Sequence, residues 1–392
     1  MKRIYVDNAA ATSMCDEAIS AMQPYFKENY ANPSSIHSLG REARAVLNES
    51  RASIAAKIGA QDEEIYFTSG GTESDNWAIT SMALLGAAQG KKHIITSKIE
   101  HHAVLHVLDK LLKRGFEVTY LDVYENGIVK ANDVAKALRH DTALVTIMYA
   151  NNEIGTIQPI QEIGEICRKA EVPFHTDAIQ AAGHLPIDVV KEQIDLLSLA
   201  AHKFHGPKGV GALYCRQEIQ LPSFIDGGTQ ERMRRGGTEN VPGIVGMAAA
   251  LEKVCRERSI NDTKKSAMSK RLIKELLKIP HTRLNGDREK RLTGNVNLSF
   301  AGVEGESLLL ALDHKGICVS TGSACSSGSL NPSHVLLSLG LSHELAHGSL
   351  RLSVSSSNTE AEIDYIIKEL PPLVARLRHM SPFQRSLLKK EH

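Results

Sequence analysis

Short apolar runs of strand length alternate along the chain with stretches whose apolar positions recur every three or four residues. Residues 93–97 (HIITS) read as a strand. After Glu100, His101 and His102 comes a helix with Val104, Leu105, Leu108, Leu111 and Leu112 at helical spacing, and after Gly115 residues 116–121 return as a strand. The pattern repeats with a strand over 143–148, the loop YANNEIGTIQPI, a helix over 160–169 and a strand over 173–176 that runs into Asp177. Two further apolar runs follow, 194–199 and 210–214. Such alternation predicts an α/β fold with a mainly parallel sheet covered by helices, and ligands outside the carboxyl ends of the strands. Upstream, residues 17–25 read as a helix, followed by a polar loop and a second helix carrying Arg41 and Arg44. Downstream of a polar loop at 227–240, a long helical stretch runs to about 277 and leads to strand 296–300, helix 304–312, strand 317–320 and closing helices near Val335 and over 360–376. The expected division is a large domain over 15–260 and a smaller α+β domain formed by 1–14 and 261–392.

Polar clusters follow the strands. The stretch SLAAHKFHGPKGVGALY, residues 198–214, places Lys203 between two strands in a glycine-rich turn. A desolvated amine there loses its charge easily and can attack a carbonyl to form a Schiff base, although an ordinary lysine in a polar turn has the same local sequence. In FTSGGTESDN, the turn Gly70, Gly71, Thr72 opens a helix. Its backbone N–H groups can take an anion such as phosphate, or Thr72 can simply cap the helix. Clusters near Thr72, His101, Asn152, Asp177 and Lys203 should therefore meet at one sheet edge.

Charge and cysteine usage narrow the classes. With 46 basic and 45 acidic residues among 392, the net charge of +1 gives no field for nucleic acid or an anionic membrane. The N-terminal MKRIYVDNAAATS has no apolar signal-like core, and no run reaches the ~18 apolar residues of a membrane span, so a cytoplasmic protein is expected. The six cysteines, Cys15, Cys167, Cys215, Cys255, Cys318 and Cys325, form no CxxC pair and suit neither a zinc site nor a disulfide framework. Cys325 alone lies in a Gly/Ser-rich stretch, TGSACSSGSLNPS, a setting in which a thiolate can serve as a nucleophile. A zinc site on His202 and His205 is a rival reading, but no third ligand of matching spacing is visible and no metal is expected.

Taken together, DNAAAT, FTSGGTESDN, IEHHAV, NNEIGTIQ, HTDAIQ, AAHKFHGPKGVGALY, RRGGTEN, STGSACSSGSLNPSHVL and HGSLRLS resemble the cysteine desulfurases of the NifS/IscS type, in the class V aminotransferase family of pyridoxal phosphate (PLP) enzymes. The resemblance runs from Tyr5 to Arg378. It implies the fold type I of PLP-dependent transferases, with a seven-stranded sheet, and conversion of L-cysteine to L-alanine with sulfur passing to Cys325 as a persulfide. It also implies that Lys203 holds PLP, Asp177 pairs with the ring nitrogen, Gln180 faces the phenolic oxygen and His101 stacks on the ring. Gly71, Thr72 and His202 would hold the phosphate, with Thr238 of a second subunit in a homodimer. Asn152 and Arg351 would bind the substrate carboxylate. A sulfur-acceptor protein such as an iron–sulfur scaffold is the implied partner, and selenocysteine lyase activity of the same family is the alternative; a loop thiol is of no use to a plain aminotransferase, and an intact lysine and aspartate argue against a silent scaffold. One position departs from the family: Ala200 stands three before the lysine, where a phosphate-contacting serine is usual. The tail after Arg378 is also shorter than in housekeeping members, where it helps to dock the scaffold.

Overall fold

The computed structural model describes residues 3–321 and 332–380. In chain order the strands are Ile4–Tyr5 (β1), Ile65–Thr68 (β2), His93–Ser97 (β3), Glu117–Leu121 (β4), Thr142–Thr146 (β5), Phe174–Asp177 (β6), Leu196–Ala200 (β7), Gly211–Cys215 (β8), Thr282–Leu284 (β9), Asn295–Phe300 (β10), Ile317–Cys318 (β11) and Ser349–Ser353 (β12). Seven form one sheet in the order β2-β8-β7-β6-β5-β3-β4, with β8 antiparallel to both neighbours and every other pairing parallel. Because β8 alone is reversed, the carboxyl ends of β2, β3, β5, β6 and β7 share one edge. This is the edge on which the polar clusters were expected to meet.

The strands at the centre of this sheet are buried on both faces, which is why β3, β5, β7 and β8 read as nearly continuous apolar runs rather than alternating ones. Helices cover it. Gly71–Ala87 and His102–Leu112 pack on one core containing Trp77, Ile94 and Leu196, with Trp77 stacked on Phe224. A larger core includes Ile54, Ile147, Phe174 and Phe204.

A third core is separate from both. It joins Ile4 and Val6 to Met268, Leu298, Leu312, Leu350 and Ile366 around the antiparallel sheet β12-β10-β9. The N-terminal strand β1 pairs with β11, and Asn8 Nδ2 donates to the Ser353 carbonyl at 2.7 Å. The helix Val241–Leu276 runs between the two cores, giving Met247 and Leu251 to the larger and Met268 and Leu272 to the smaller. Val335, Leu336 and Ala346 pack with the core of the large sheet although they lie late in the chain.

Local chemistry adjusts some boundaries. The helix expected over 17–25 is two, Asp16–Met22 and Pro24–Lys27, because a proline ring is tolerated in a first turn and not inside a helix. The expected strand 317–320 retains two residues. Among the described residues no helix is long and apolar enough to cross a membrane.

Candidate active site

A cavity of about 330 Å³ opens at the carboxyl edge of the large sheet, of a size that suits a small cofactor. Gly71, Thr72, His101, Asn152, Asp177, Gln180, His202, Lys203 and Arg351 line it, together with Ala9, Ala10, Ala150, Ile179, Met148 and Ala200. Nine of the expected site residues thus meet in one place. Thr238 does not: it is exposed and lines another cleft with Ser69, Arg235 and Glu239. Cys325 lies outside the described residues.

Lys203 closes a single 3₁₀ turn, Ala201–Lys203, directly after β7. Its Nζ donates to the carbonyls of Ala9 and Ala10, each at 2.8 Å. Gln180 Nε2 donates to the same Ala9 carbonyl at 2.9 Å. The N-terminal segment that carries these carbonyls therefore forms a wall of the cavity, a role the motif DNAAAT gave no local reason to expect.

Three carboxyls are buried near one another at this edge, and their environments separate them. Burial and the Asp177 charge push Asp75 well above the usual carboxylate range. Burial raises Glu100 to about 8 against the opposing hydrogen bonds from Ser97 and the Met148 N–H. Asp177 is raised by burial only to about 6, because the Ile179 N–H at 2.9 Å and the Lys203 charge favour its ionised form. At neutral pH Glu100 holds its proton, burial and the Asp177 charge favour the neutral form of Asp75, and Asp177 carries the charge. Alongside lies His175, held by Thr146 Oγ1 at 2.8 Å and Ser198 Oγ at 3.0 Å and kept neutral by burial, at about 3. Asp75, Glu100 and His175 were not expected as site residues; Asp75 and Glu100 lay inside quoted motifs, but only burial reveals their protonation.

His101 is the N-cap of the helix His102–Leu112, and its Nδ1 accepts from the Ala103 N–H at 3.1 Å. The neutral ring therefore carries its proton on Nε2. Burial, then the nearby Lys203 charge and His102, lower it to about 4. His202 is likewise lowered to about 4, by burial and then by Lys203 and Lys208. Both rings are neutral at pH 7.

Arg351 reaches the cavity from β12. It is 2% exposed, its Nη2 donates to Asp7 Oδ1 at 2.7 Å and its Nη1 to the Asn152 carbonyl at 3.0 Å. Among the described residues its buried Nε has no hydrogen-bond partner. A buried guanidinium N–H left unmade is costly, and it marks a place for an anionic oxygen.

At the first turn of Gly71–Ala87, a Cβ on Gly71 would lie 2.0 Å from Ile179 Cδ1, so any side chain there would press on the cavity wall. Glycine leaves the backbone N–H groups open to an anion. The loop that bears Thr238 is pinned from below: Arg51 holds Glu231 through paired contacts of 2.8 and 2.7 Å, and Glu231 also accepts from the Phe67 N–H at 2.8 Å. Among the described residues no group of three or more His, Cys, Asp or Glu side chains is placed to hold a metal ion.

A lone ionised carboxylate, a lysine at a strand end, a neutral histidine and a helix N-terminus round one cavity suit PLP: they offer an anion for the ring nitrogen, an amine for the aldehyde, a flat ring to stack and N–H donors for the phosphate. The seven-stranded sheet with its smaller α+β partner is the fold type I architecture of PLP-dependent transferases. The chain belongs to the aminotransferase class-V family, whose model matches residues 4–366. It is 54% identical over 381 residues to a cysteine desulfurase IscS of Methanosarcina thermophila, covering 97% of this chain and 94% of that one. It is 50% identical over 393 residues to a cysteine desulfurase IscS of Clostridium botulinum, covering 100% and 99%. Among solved structures, a NifS-like protein superposes with a TM-score of 0.90 at 38% identity, covering 96% of this chain and 100% of that one. SspA in complex with cysteine superposes with a TM-score of 0.81 at 36% identity, covering 91% and 100%.

Proposed function

We infer that the protein is a PLP-dependent cysteine desulfurase, converting L-cysteine to L-alanine with transfer of sulfur to Cys325 and onward to an acceptor such as an iron–sulfur scaffold protein. The observation that carries this reading is the presence, in one cavity, of the Lys203 amine and of Asp177, a buried carboxyl whose ionised form is favoured by the Lys203 charge and the Ile179 N–H. Bound there, PLP supplies an electron-withdrawing ring that loosens bonds around the substrate's α-carbon.

The chain's own groups do the rest. Asp177 places a negative charge opposite the ring nitrogen. Gly71, Thr72 and His202 would hold the phosphate and Gln180 the phenolic oxygen, and the neutral ring of His101 would stack on the cofactor, with Nε2 as the atom able to hold or give a proton. Arg351 and Asn152 take the substrate carboxylate, with the Arg351 Nε, which has no partner among the described residues, as a waiting donor. The Lys203 amine, which donates to the Ala9 and Ala10 carbonyls, would be the group that moves protons at the substrate's α-carbon. The Cys325 thiolate forms a bond to the substrate sulfur as the carbon–sulfur bond breaks, whose electron pair stays with the alanine skeleton; that skeleton takes up a proton.

In this reading residues 15–260 form the cofactor domain, residues 1–14 with 261–392 the smaller one, and the protein works in the cytoplasm as a homodimer in which Thr238 serves the partner's phosphate site. The exposure of Thr238 on a pinned loop supports that last point. Borohydride reduction of the loaded protein followed by peptide mapping tests the assignment. Label is expected on Lys203, and Lys203→Ala should abolish turnover; label on another lysine would overturn it.

A further inference from the structure

A second cavity, of about 310 Å³, adjoins the first and shares Ala9 and Gln180 with it; His184, Asp262, Lys265 and Thr293 are among its lining residues. His184 connects it to the site. Its Nε2 lies 3.2 Å from the carbonyl oxygen of Lys203, and its Nδ1 lies 3.4 Å from Lys265 Nζ. Lys265, only 7% exposed, is 3.0 Å from Asp262 Oδ1, which also accepts from Thr293 Oγ1 at 2.7 Å. Lys265 and Asp262 belong to the helix Val241–Leu276, which runs between the two cores.

Donor and acceptor rules fix the ring's state. A carbonyl oxygen only accepts, so Nε2 must carry hydrogen; an ammonium only donates, so Nδ1 must offer a lone pair. The neutral Nε2–H tautomer satisfies both contacts, whereas an imidazolium would turn a proton towards the Lys265 ammonium. Burial and then the Lys265 charge lower the ring to about 3, in keeping with this geometry.

Resting on the reading of Lys203 as the cofactor-bearing lysine, we propose that His184 is a positioning residue for it: a neutral imidazole, set in one tautomer by Lys265, that ties the Lys203 backbone to the helix between the two cores. The tie matters because the lysine hangs from a single 3₁₀ turn, and small displacements of a reacting group are expensive in rate.

Two substitutions separate this role from space filling. His184→Gln can donate to the Lys203 carbonyl and accept from Lys265, whereas His184→Phe keeps the ring and loses both bonds. His184→Phe should lower kcat roughly tenfold with KM for cysteine within about twofold of the parent, since the fault lies in placing the amine rather than in holding substrate. It should also shift the pH at which the visible band of the Lys203-bound cofactor titrates, and His184→Gln should recover most of both. If His184→Phe matches the parent in rate and spectrum, or if His184→Gln is no better than His184→Phe, the proposal fails. Nitrogen-15 NMR of histidine-labelled, cofactor-free protein gives a readout that needs no turnover: the Nε2–H tautomer of His184 is expected at pH 7, and an Nδ1–H or imidazolium signal would overturn the proposal. A protein that took up no cofactor at Lys203 would defeat the functional reading, while the tautomer would still judge the His184–Lys265 contact.

Discussion

Two walls of the catalytic cavity are built in different ways. One comes from strand ends of a single sheet, where Gly71, His101, Asn152 and Lys203 each follow the strand that delivers them and Asp177 ends its strand. The other comes from remote parts of the chain, Ala9 and Ala10 from the N-terminal segment and Arg351 from β12, joined by contacts such as Arg351 with Asp7. The first wall places the groups that would meet the cofactor's ring and phosphate, and with Asn152 one that would meet the substrate carboxylate; the second supplies Arg351 for that carboxylate and the carbonyls on which the lysine amine rests. In the proposed reading the cofactor's partners are thus set mainly on the large sheet, while Arg351 comes from a sheet that packs in the smaller core.

The comparison breaks most sharply at Asp177. Asp177→Asn removes a buried carboxylate whose ionised form is favoured by Lys203 and the Ile179 N–H, and would leave the cofactor's ring nitrogen without a counter-charge. Losing one partner of a buried ion pair costs about 3 kcal/mol or more, so kcat should fall roughly 10²-fold or further, with KM little changed. Steady-state kinetics at saturating PLP checks this. The same residue gives a pH dependence whose sign is set by its raised pKa of about 6: above it the carboxylate is ready to pair with a cation, and below it a proton must be expelled first. Cofactor affinity of the parent relative to Asp177→Asn should therefore be flat above pH 6 and fall by up to about tenfold per unit below it. An equal pH profile in both proteins would remove Asp177 from the cofactor site.

On the opposite wall the damage should appear in binding. Arg351→Ala loses charge-assisted hydrogen bonds worth about 1.5 to 3 kcal/mol each, so KM for cysteine should rise roughly 10- to 10²-fold with a smaller loss in kcat. Cofactor content should stay at the parent's level. A variant that lost PLP instead would show that Arg351 serves the first wall, and the division drawn between the two would fall.

How far each wall could be read from the sequence follows from the same difference. The first is local: a polar cluster after each apolar run, in a parallel alternation, is enough to bring Thr72, His101, Asn152, Asp177 and Lys203 to one edge. The helix 160–169 and the strand 93–97 were legible to the residue because their periodicity is uninterrupted. The second wall is non-local. No spacing rule joins Asp7 to Arg351 across so much chain, and only resemblance to a family pointed to Arg351. Protonation was legible in neither wall, since Glu100 and Asp75 are pushed up through burial that the tertiary structure creates. The turn after Pro24 and the pinned loop at Glu231 depend on a proline ring and on a buried arginine, and neither leaves a periodic trace.

The smallest effect expected is at Ala200, where the first wall departs from its family. Ala200 ends β7, is 1% exposed and lines the cavity, and its Cβ lies 3.6 Å from the point a Cβ on Gly71 would occupy. A hydroxyl added there stands beside the helix N-terminus that would hold the phosphate. One added hydrogen bond is worth about 0.5 to 1.5 kcal/mol, which corresponds to a roughly two- to tenfold slower loss of PLP from Ala200→Ser. The sign should reverse without the cofactor. In the empty protein the new hydroxyl is buried with no phosphate to meet, and an unmatched buried hydroxyl costs stability. Ala200→Ser should therefore lower the Tm of the cofactor-free protein and slow cofactor release from the loaded one, both measured on the same preparation. Slower release with an unchanged cofactor-free Tm would mean that the hydroxyl finds a protein partner of its own. Unchanged release would mean that backbone N–H groups at Gly71 and Thr72 already saturate the phosphate, and that the wall reached full strength without the serine.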